Sequence, residues 1–317
     1  MNKNKNKFNL KKTIALTVLV FMLLPIFSGC AESPSKKYLV DLEVWGSFDD
    51  NGDFSEIFAA FKGANPFVRN IAYKKIPVDS YENELMDALA SGNGPDIFLV
   101  NNAWMPRYED KVIPAPINII NEKQFRDTFV DVVATDFIGK NSEIYGVPLS
   151  VDSLGLYYNK DLFNAAGITT PPSTWPELLD SSKRITKIND VSEIERSGVA
   201  MGTVPNINRS TDIIDLLMLQ NGAQLPDKNN MSFRPDFNIG KNMLEFYTQF
   251  ARFSSPAYSW NKGLHYSIDA FYEGDLGMML NYSWHINTIK NKNAKLNFAL
   301  APIPQISSSK PINHANY

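Results

Sequence analysis

The chain has 317 residues, 31 Lys+Arg against 34 Asp+Glu for a formal charge of −3, three His and one Cys. A single cysteine excludes an internal disulfide framework, and the absence of a Lys/Arg run beyond the N-terminus argues against a nucleic-acid partner. The length suits one large or two medium domains, each able to bury a core.

Residues 1–30 begin with Lys3, Lys5, Lys7, Lys11 and Lys12, continue as an apolar stretch from Thr13 to Phe27, and end in Ser28-Gly29-Cys30. That is the layout of a secretory signal peptide: basic start, apolar middle, small-residue cleavage site. The apolar run falls short of the about 20 residues a spanning helix needs. The placement of Cys30 resembles a bacterial lipobox, with Phe27 where Leu is usual. The resemblance implies export and lipidation of Cys30 as the first mature residue; the other reading is an ordinary signal or uncleaved anchor that happens to hold a cysteine. Residues 30–36 are polar and aperiodic, as a tether is. Removing residues 1–29 takes away five lysines and no acid, so the remainder is more acidic than the whole.

Val40-Asp41-Leu42-Glu43-Val44-Trp45 alternates as a strand does. After the loop 46–52, Asp53 with Glu56 predicts a capping box opening a helix through Phe54, Ile57, Phe58 and Phe61, stopped near Gly63–Pro66. A strand near 71–76, a helix from Asp79 with Tyr81, Leu85, Ala88 and Leu89 on one face, and a strand over 96–100 complete a β-α-β-α-β order. That order predicts a largely parallel sheet covered by helices. Further on, Leu154 to Tyr158 reads as a strand, and Thr174 with Glu177 caps a helix carrying Trp175 and Leu178. Helices follow over 211–219 (ended by Asn221-Gly222) and 239–253. The remainder reads as helix 268–272, strand 276–280, helix 284–289 and strand 298–303.

Five segments in order carry a resemblance: Asn93-Gly94-Pro95-Asp96-Ile97-Phe98; Tyr145-Gly146-Val147-Pro148 with Leu156 to Phe163; Pro172 to Leu178; Asn221-Gly222-Ala223; and Phe271-Tyr272-Glu273-Gly274 through Met278-Met279 to Asn281-Tyr282-Ser283-Trp284. Taken together, they make the sequence resemble the extracellular solute-binding proteins of ABC importers, family 1, the maltose-binding-protein-like group. The resemblance implies an α/β, two-lobed periplasmic-binding-protein-like fold with a ligand cleft between lobes. The first lobe would be 37–150 plus 283–317 and the second 151–282. It also implies a small-molecule solute, most naturally a carbohydrate, permease subunits of an ABC transporter as partners, and no cofactor. Members of the group run on for roughly another hundred residues past the strand near Pro302. The second lobe is therefore expected to be incomplete, with its C-terminal part missing by truncation.

A sugar offers hydroxyls and apolar ring faces, which carboxylates, amides and indoles meet. Sites of α/β sheets lie beyond the carboxyl ends of strands. The ligand-binding candidates are therefore Trp45 and Asp49 after the first strand, Asn101, Asn102 and Trp104 after the 96–100 strand, Asp152 and Trp284 at the expected lobe crossings, and Trp260 in a polar loop. Each has a plainer reading. The tryptophans could be core or helix-start packing, Asp49 a turn cap, and Asp152 a crossing-segment residue.

No catalytic residue stands out. His265, His285 and His314 lack ligand spacing. Asp49-Asp50-Asn51-Gly52-Asp53 resembles the start of a calcium loop, but Phe54 occupies the position that needs Gly. No Gly-x-Ser-x-Gly elbow occurs. The leading expectation is a lipid-anchored, non-enzymatic importer component that binds a sugar by lobe closure. The rivals are a lipid-anchored glycan hydrolase, which needs a carboxylate pair about 5–10 Å apart, and a binding protein that signals through a membrane receptor.

Overall fold

The computed structural model describes residues 39–223, 237–307 and 309–317. The expected leader, Cys30 and the tether lie outside the described residues. The protein divides into two compact units, one ending at Leu99 and the other running from Val100 to Tyr317.

In the first unit, β1 (Val40–Gly46) leads to α1 (Asn51–Ala64), β2 (Val68–Lys75), α2 (Val78–Ala90) and β3 (Ile97–Phe98). The order β2-β1-β3 is parallel throughout, as the β-α-β-α-β pattern requires. The N-cap of α1 is Asp50, ahead of the expected Asp53, and the Asp53 carboxylate accepts the Asp50 backbone N–H at 2.7 Å. The box is thus Asp50/Asp53, because an acid at either step can serve as the cap. α1 buries none of its residues, with Ile57 and Phe61 exposed. α2 supplies the packing instead, through Tyr81 and Leu85. The Tyr81 hydroxyl lies 2.7 Å from the Leu99 carbonyl and 3.1 Å from that of Trp45. Asp96 accepts the Glu43 N–H at 2.8 Å, tying the loop before β3 to β1.

The second unit opens with a 3₁₀ turn (Asn102–Trp104), α3 (Met105–Tyr108), α4 (Glu122–Thr128) and α5 (Asp131–Phe137). Met105, Phe125, Val133, Phe137 and Ile144 make a small core of their own. Next come β4 (Asp152–Ser153), β5 (Gly155–Asn159), α6 (Lys160–Ala165), α7 (Trp175–Ile185), β6 (Lys187–Ile188) and β7 (Ile194–Val199). They are followed by α8 (Ser210–Gln220), α9 (Phe237–Thr248), α10 (Ser267–Glu273), β8 (Leu276–Asn281), α11 (His285–Lys292), β9 (Phe298–Ala301) and β10 (Ala315–Asn316). The main sheet has the order β6-β7-β8-β5-β9, with β7 and β8 parallel and the other pairs antiparallel.

The segment after residue 283 packs within the second unit. β9 pairs with β5, Ile289 of α11 sits in the same core as Trp175 and Leu216, and Gln305 N–H donates to Ser173 O at 2.9 Å. Only the last residues leave this sheet, where β10 pairs antiparallel with β4. The first compact unit ends at Leu99, and residues 100–150 group with the second. A six-residue apolar strand such as β8 marks a sheet, but a sequence does not say which neighbour the next strand joins.

Two helix signals read from the sequence carry over directly. Thr174 Oγ1 accepts Glu177 N–H at 3.3 Å while Glu177 accepts from Ser173 and Thr174, so the box opening α7 is closed from both sides. Gly222, at φ 84°, follows α8 in the left-handed conformation that ends helices. α7 lies so close to the sheet that a Cβ on Gly198 would run into the Ser182 carbonyl. Gly198→Ala is therefore expected to destabilise by about 1–3 kcal/mol. The matched control is Gly52→Ala, which meets open space. Urea unfolding of both variants checks this.

Candidate ligand-binding site

All six residues of β8 are buried, so the strand can only meet solvent where it ends. There the backbone turns through Tyr282-Ser283-Trp284 into α11. Trp284 is 43 % exposed, while Tyr282 beneath it is fully buried. The two rings stack with centroids 4.6 Å apart and planes 17° from parallel. Tyr282 thus covers one face of the indole and leaves the other open.

The phenol of Tyr282 is a junction. Its hydroxyl donates to Asp212 Oδ2 at 2.9 Å and lies 2.9 Å from His314 Nδ1. Its backbone carbonyl accepts the hydroxyl of Tyr157 at 2.7 Å. Burial and the Asp212 charge push the Tyr282 phenol well above its usual range. Burial also raises the Asp215 carboxyl, which the neighbouring Asp212 charge reinforces and His314 opposes.

Arg209 stands beside this stack. Its Cζ is 5.1 Å from the Tyr282 centroid and 5.2 Å from that of Trp284. Near-equal distances to two stacked rings put the guanidinium at their flank, not on the outer face of the indole. Asp212 is 3.9 Å away, a loose ion pair, and the Arg209 Nε is buried without a partner among the described residues. His285 follows Trp284, with ring centroids 5.8 Å apart, and among the described residues neither of its buried ring nitrogens has a partner. Burial first, then the Arg209 charge, push the His285 pKa down to about 4, against the opposing pull of Asp152. His285 is therefore a neutral imidazole near pH 7, with one donor and one acceptor.

The expected residues fall into three groups. Asp152 and Trp284 come together: Asp152 Oδ2 accepts both the backbone N–H and the hydroxyl of Ser283, at 2.9 and 2.8 Å. Asn101 joins them through β10, since its Nδ2 donates to Asn316 Oδ1 at 2.8 Å and Asn316 pairs with Asp152. Asn102 donates to Asp136 and accepts from the Tyr317 backbone N–H. These two amides are occupied in holding the 3₁₀ turn and the C-terminal strand. Trp104 is half-buried there, stacked against Tyr108 at 6.0 Å.

Trp260 is different. It is fully buried, and its indole N–H donates to Asn206 Oδ1 at 3.1 Å, so the ring is core with no face to offer. In the first unit, Trp45 is 5 % exposed, its indole N–H donates to Glu43 at 2.6 Å, and the Lys74 ammonium sits 3.9 Å from its ring centroid. Asp49 lies in the bend after β1, where burial and then the charges of Asp49, Asp50 and Asp53 raise the Tyr73 phenol.

Arg209, Asp212, Tyr282 and His285 were not anticipated. For Arg209 and Asp212 the signal in the sequence is the largely polar stretch Asn206–Asp212 at the start of α8, which a helix cap explains equally well, while Tyr282 and His285 adjoin Trp284 in the quoted segment. A separate surface concavity of about 790 Å³, lined by Pro114, Ile117, Glu122, Arg126 and Ser142 among others, has no aromatic platform. Its charged groups pair along α4. Among the described residues no group of three His, Cys, Asp or Glu could hold a metal ion, and no helix is long and apolar enough to cross a membrane.

Residues 49–317 match the family model described as bacterial extracellular solute-binding protein. The chain belongs to that family. Among curated relatives it is similar to an arabinooligosaccharide-binding protein of Halalkalibacterium halodurans, 29 % identical over 51 % of this chain and 35 % of that one. It is also similar to a maltotriose-binding protein of Pyrococcus abyssi, 24 % identical over 71 % of this chain and 45 % of that one. The chain spans about a third to a half of the length of these curated relatives. A solved structure, the cyclic alpha-maltosyl-1,6-maltose binding protein of Arthrobacter globiformis, aligns with a TM-score of 0.69 at 23 % identity. That alignment covers 88 % of this chain and 69 % of the other. The fold of this solute-binding protein is thus the two-lobed α/β fold of the periplasmic-binding type.

The His285 environment has a measurable consequence. In the unfolded state His285 takes up a proton near pH 6.5, while in the folded protein it does so only near pH 4. Between those values the unfolded state holds more protons, so stability falls as pH drops from about 6.5 to about 4. Urea midpoints across that window are expected to fall less steeply for His285→Asn than for the wild type.

Proposed function

We propose that this protein is the solute-binding component of an ABC importer, that its solute is a sugar or oligosaccharide, and that it hands this solute to the transporter's permease. The observation that carries the reading is Trp284, partly exposed and backed by the buried Tyr282 ring, with the partly exposed Arg209 guanidinium at its flank. An indole face receives the apolar side of a pyranose, and the partly exposed terminal nitrogens of a guanidinium can donate to its hydroxyls. The relatives named for oligosaccharides support the same class of solute. Binding requires no bond to be made or broken. The solute shifts the protein toward a closed form only to the extent that it binds that form more tightly.

The signal-like leader and the placement of Cys30 support export and a lipid anchor that keeps the protein at the membrane outside the cytoplasm. Each buried acyl methylene contributes about 0.8 kcal/mol, and stable attachment takes more than one acyl group.

Titration of the full-length protein, solubilised in mild detergent, with maltotriose and arabinotriose tests the reading by intrinsic tryptophan fluorescence. A saturable shift with the sugar recovered unchanged is expected, and Trp284→Ala should weaken it by about tenfold or more, the loss of one aromatic platform. Trp260→Phe should leave the affinity as it is. Cleavage of the sugar, or a cooperatively melting protein that answers to neither sugar, counts against it.

A further inference from the structure

The Trp284 site contains a cation that makes no hydrogen bond among the described residues, and because its Nε is buried, its terminal nitrogens are the ones a ligand can reach. Arg209 is held at the flank of the Tyr282–Trp284 stack, its side chain remains about a quarter exposed, and its acidic neighbour Asp212 is 3.9 Å away. Asp212 is meanwhile engaged by the Tyr282 hydroxyl, and Asp152 by Ser283. Neither carboxylate therefore closes off the guanidinium. A planar guanidinium donates in parallel to two oxygens a fixed distance apart, which an ammonium cannot do.

Two classes of group present such oxygen pairs: oxyanions such as carboxylates and phosphates, and the adjacent hydroxyls of a sugar ring. The surroundings separate them. Asp212 lies beside Arg209, Asp152 lies against Ser283 next to Trp284, and His285 is neutral, so a further anion at this site would meet two carboxylates against one cation. Hydroxyls carry no such penalty.

We infer that Arg209 sets the specificity of this site: its guanidinium edge, beside the open face of Trp284, donates to two adjacent hydroxyl oxygens of an uncharged pyranose stacked on that indole. The inference rests on the sugar-binding reading above. It assigns selection of the sugar to a residue outside the aromatic platform, and it excludes acidic sugars as preferred ligands.

The test compares wild type, Arg209→Lys, Arg209→Met and Trp284→Ala by calorimetric titration of the full-length protein in detergent, with maltotriose, arabinotriose and trigalacturonic acid. Both Arg209 variants should lose about ten- to a hundredfold in affinity for the neutral trisaccharide that binds, the range for hydrogen bonds to a charged group. Lys should not rescue, and trigalacturonic acid should bind no tighter than the neutral sugar. Arg209 variants within twofold of wild type, while Trp284→Ala is impaired, would overturn the inference and leave the sugar-binding reading standing. Retention by Lys together with a preference for trigalacturonic acid would overturn it in favour of simple charge attraction. A wild type that melts cooperatively but binds none of the three removes the reading and the inference together. Should the Arg209 variants fail to melt cooperatively, phenylglyoxal labelling of wild type decides. The saturating neutral trisaccharide should shield Arg209 in the peptide mass spectrum, and unchanged labelling contradicts its contact.

Discussion

The buried phenol of Tyr282 is the constraint on which the site depends. Its hydroxyl meets the first turn of α8 through Asp212 and the segment before β10 through His314, its ring stacks on Trp284 two residues on, and the backbone carbonyl of the same residue accepts from Tyr157 of β5. A buried hydroxyl left unpaired costs about 1–3 kcal/mol, so the Asp212 carboxylate and the His314 ring are held where they are by the need to satisfy it. The stacked pair then fixes the plane of the indole. A surface tryptophan with free rotamers would lose entropy on meeting a ligand; this one has already lost it to the stack.

A second set of bonds runs from Asp152. By accepting two hydrogen bonds from Ser283 it ties the entry segment of the second sheet to the turn after β8. Through the β4–β10 pairing the same point is linked to Asn101. Residues that a reader of the sequence picks out as possible ligand contacts are thus bound to one another. Asn101, Asn102 and Asp152 spend much of their hydrogen-bonding capacity inside the protein, whereas Arg209 and His285 keep theirs.

Polarity is distributed unevenly around the site for a physical reason. The strand that delivers Trp284 is buried on both faces, so its polar neighbours can only collect at its end, and burial there is incomplete enough to shift protonation without eliminating the charged groups. His285 is neutral because it is desolvated and close to a guanidinium. Arg209 stays charged because no environment in a protein deprotonates it. The result is a fixed cation, two engaged carboxylates and a neutral imidazole around an open aromatic face.

The sequence by itself determined the local elements. The parallel β-α-β-α-β order of the first unit, the Thr174/Glu177 cap of α7, the Asn221-Gly222 stop of α8 and the buried strand at 276–280 are all set by side chains within a few residues of one another. Trp284 was also legible, because a strand end followed by an aromatic in a recognisable pattern is a local signal. Only the tertiary structure decided which tryptophans stay partly exposed and which are core. Trp260 lies in a stretch as polar as that of Trp284, yet the distant Asn206 takes its N–H and the core closes over it. The tertiary structure also decided that β9 joins the second sheet, and that Arg209 stands beside a ring far along the sequence from it. Burial and long-range pairing depend on which distant segments meet, and the periodicity of a sequence holds no record of that.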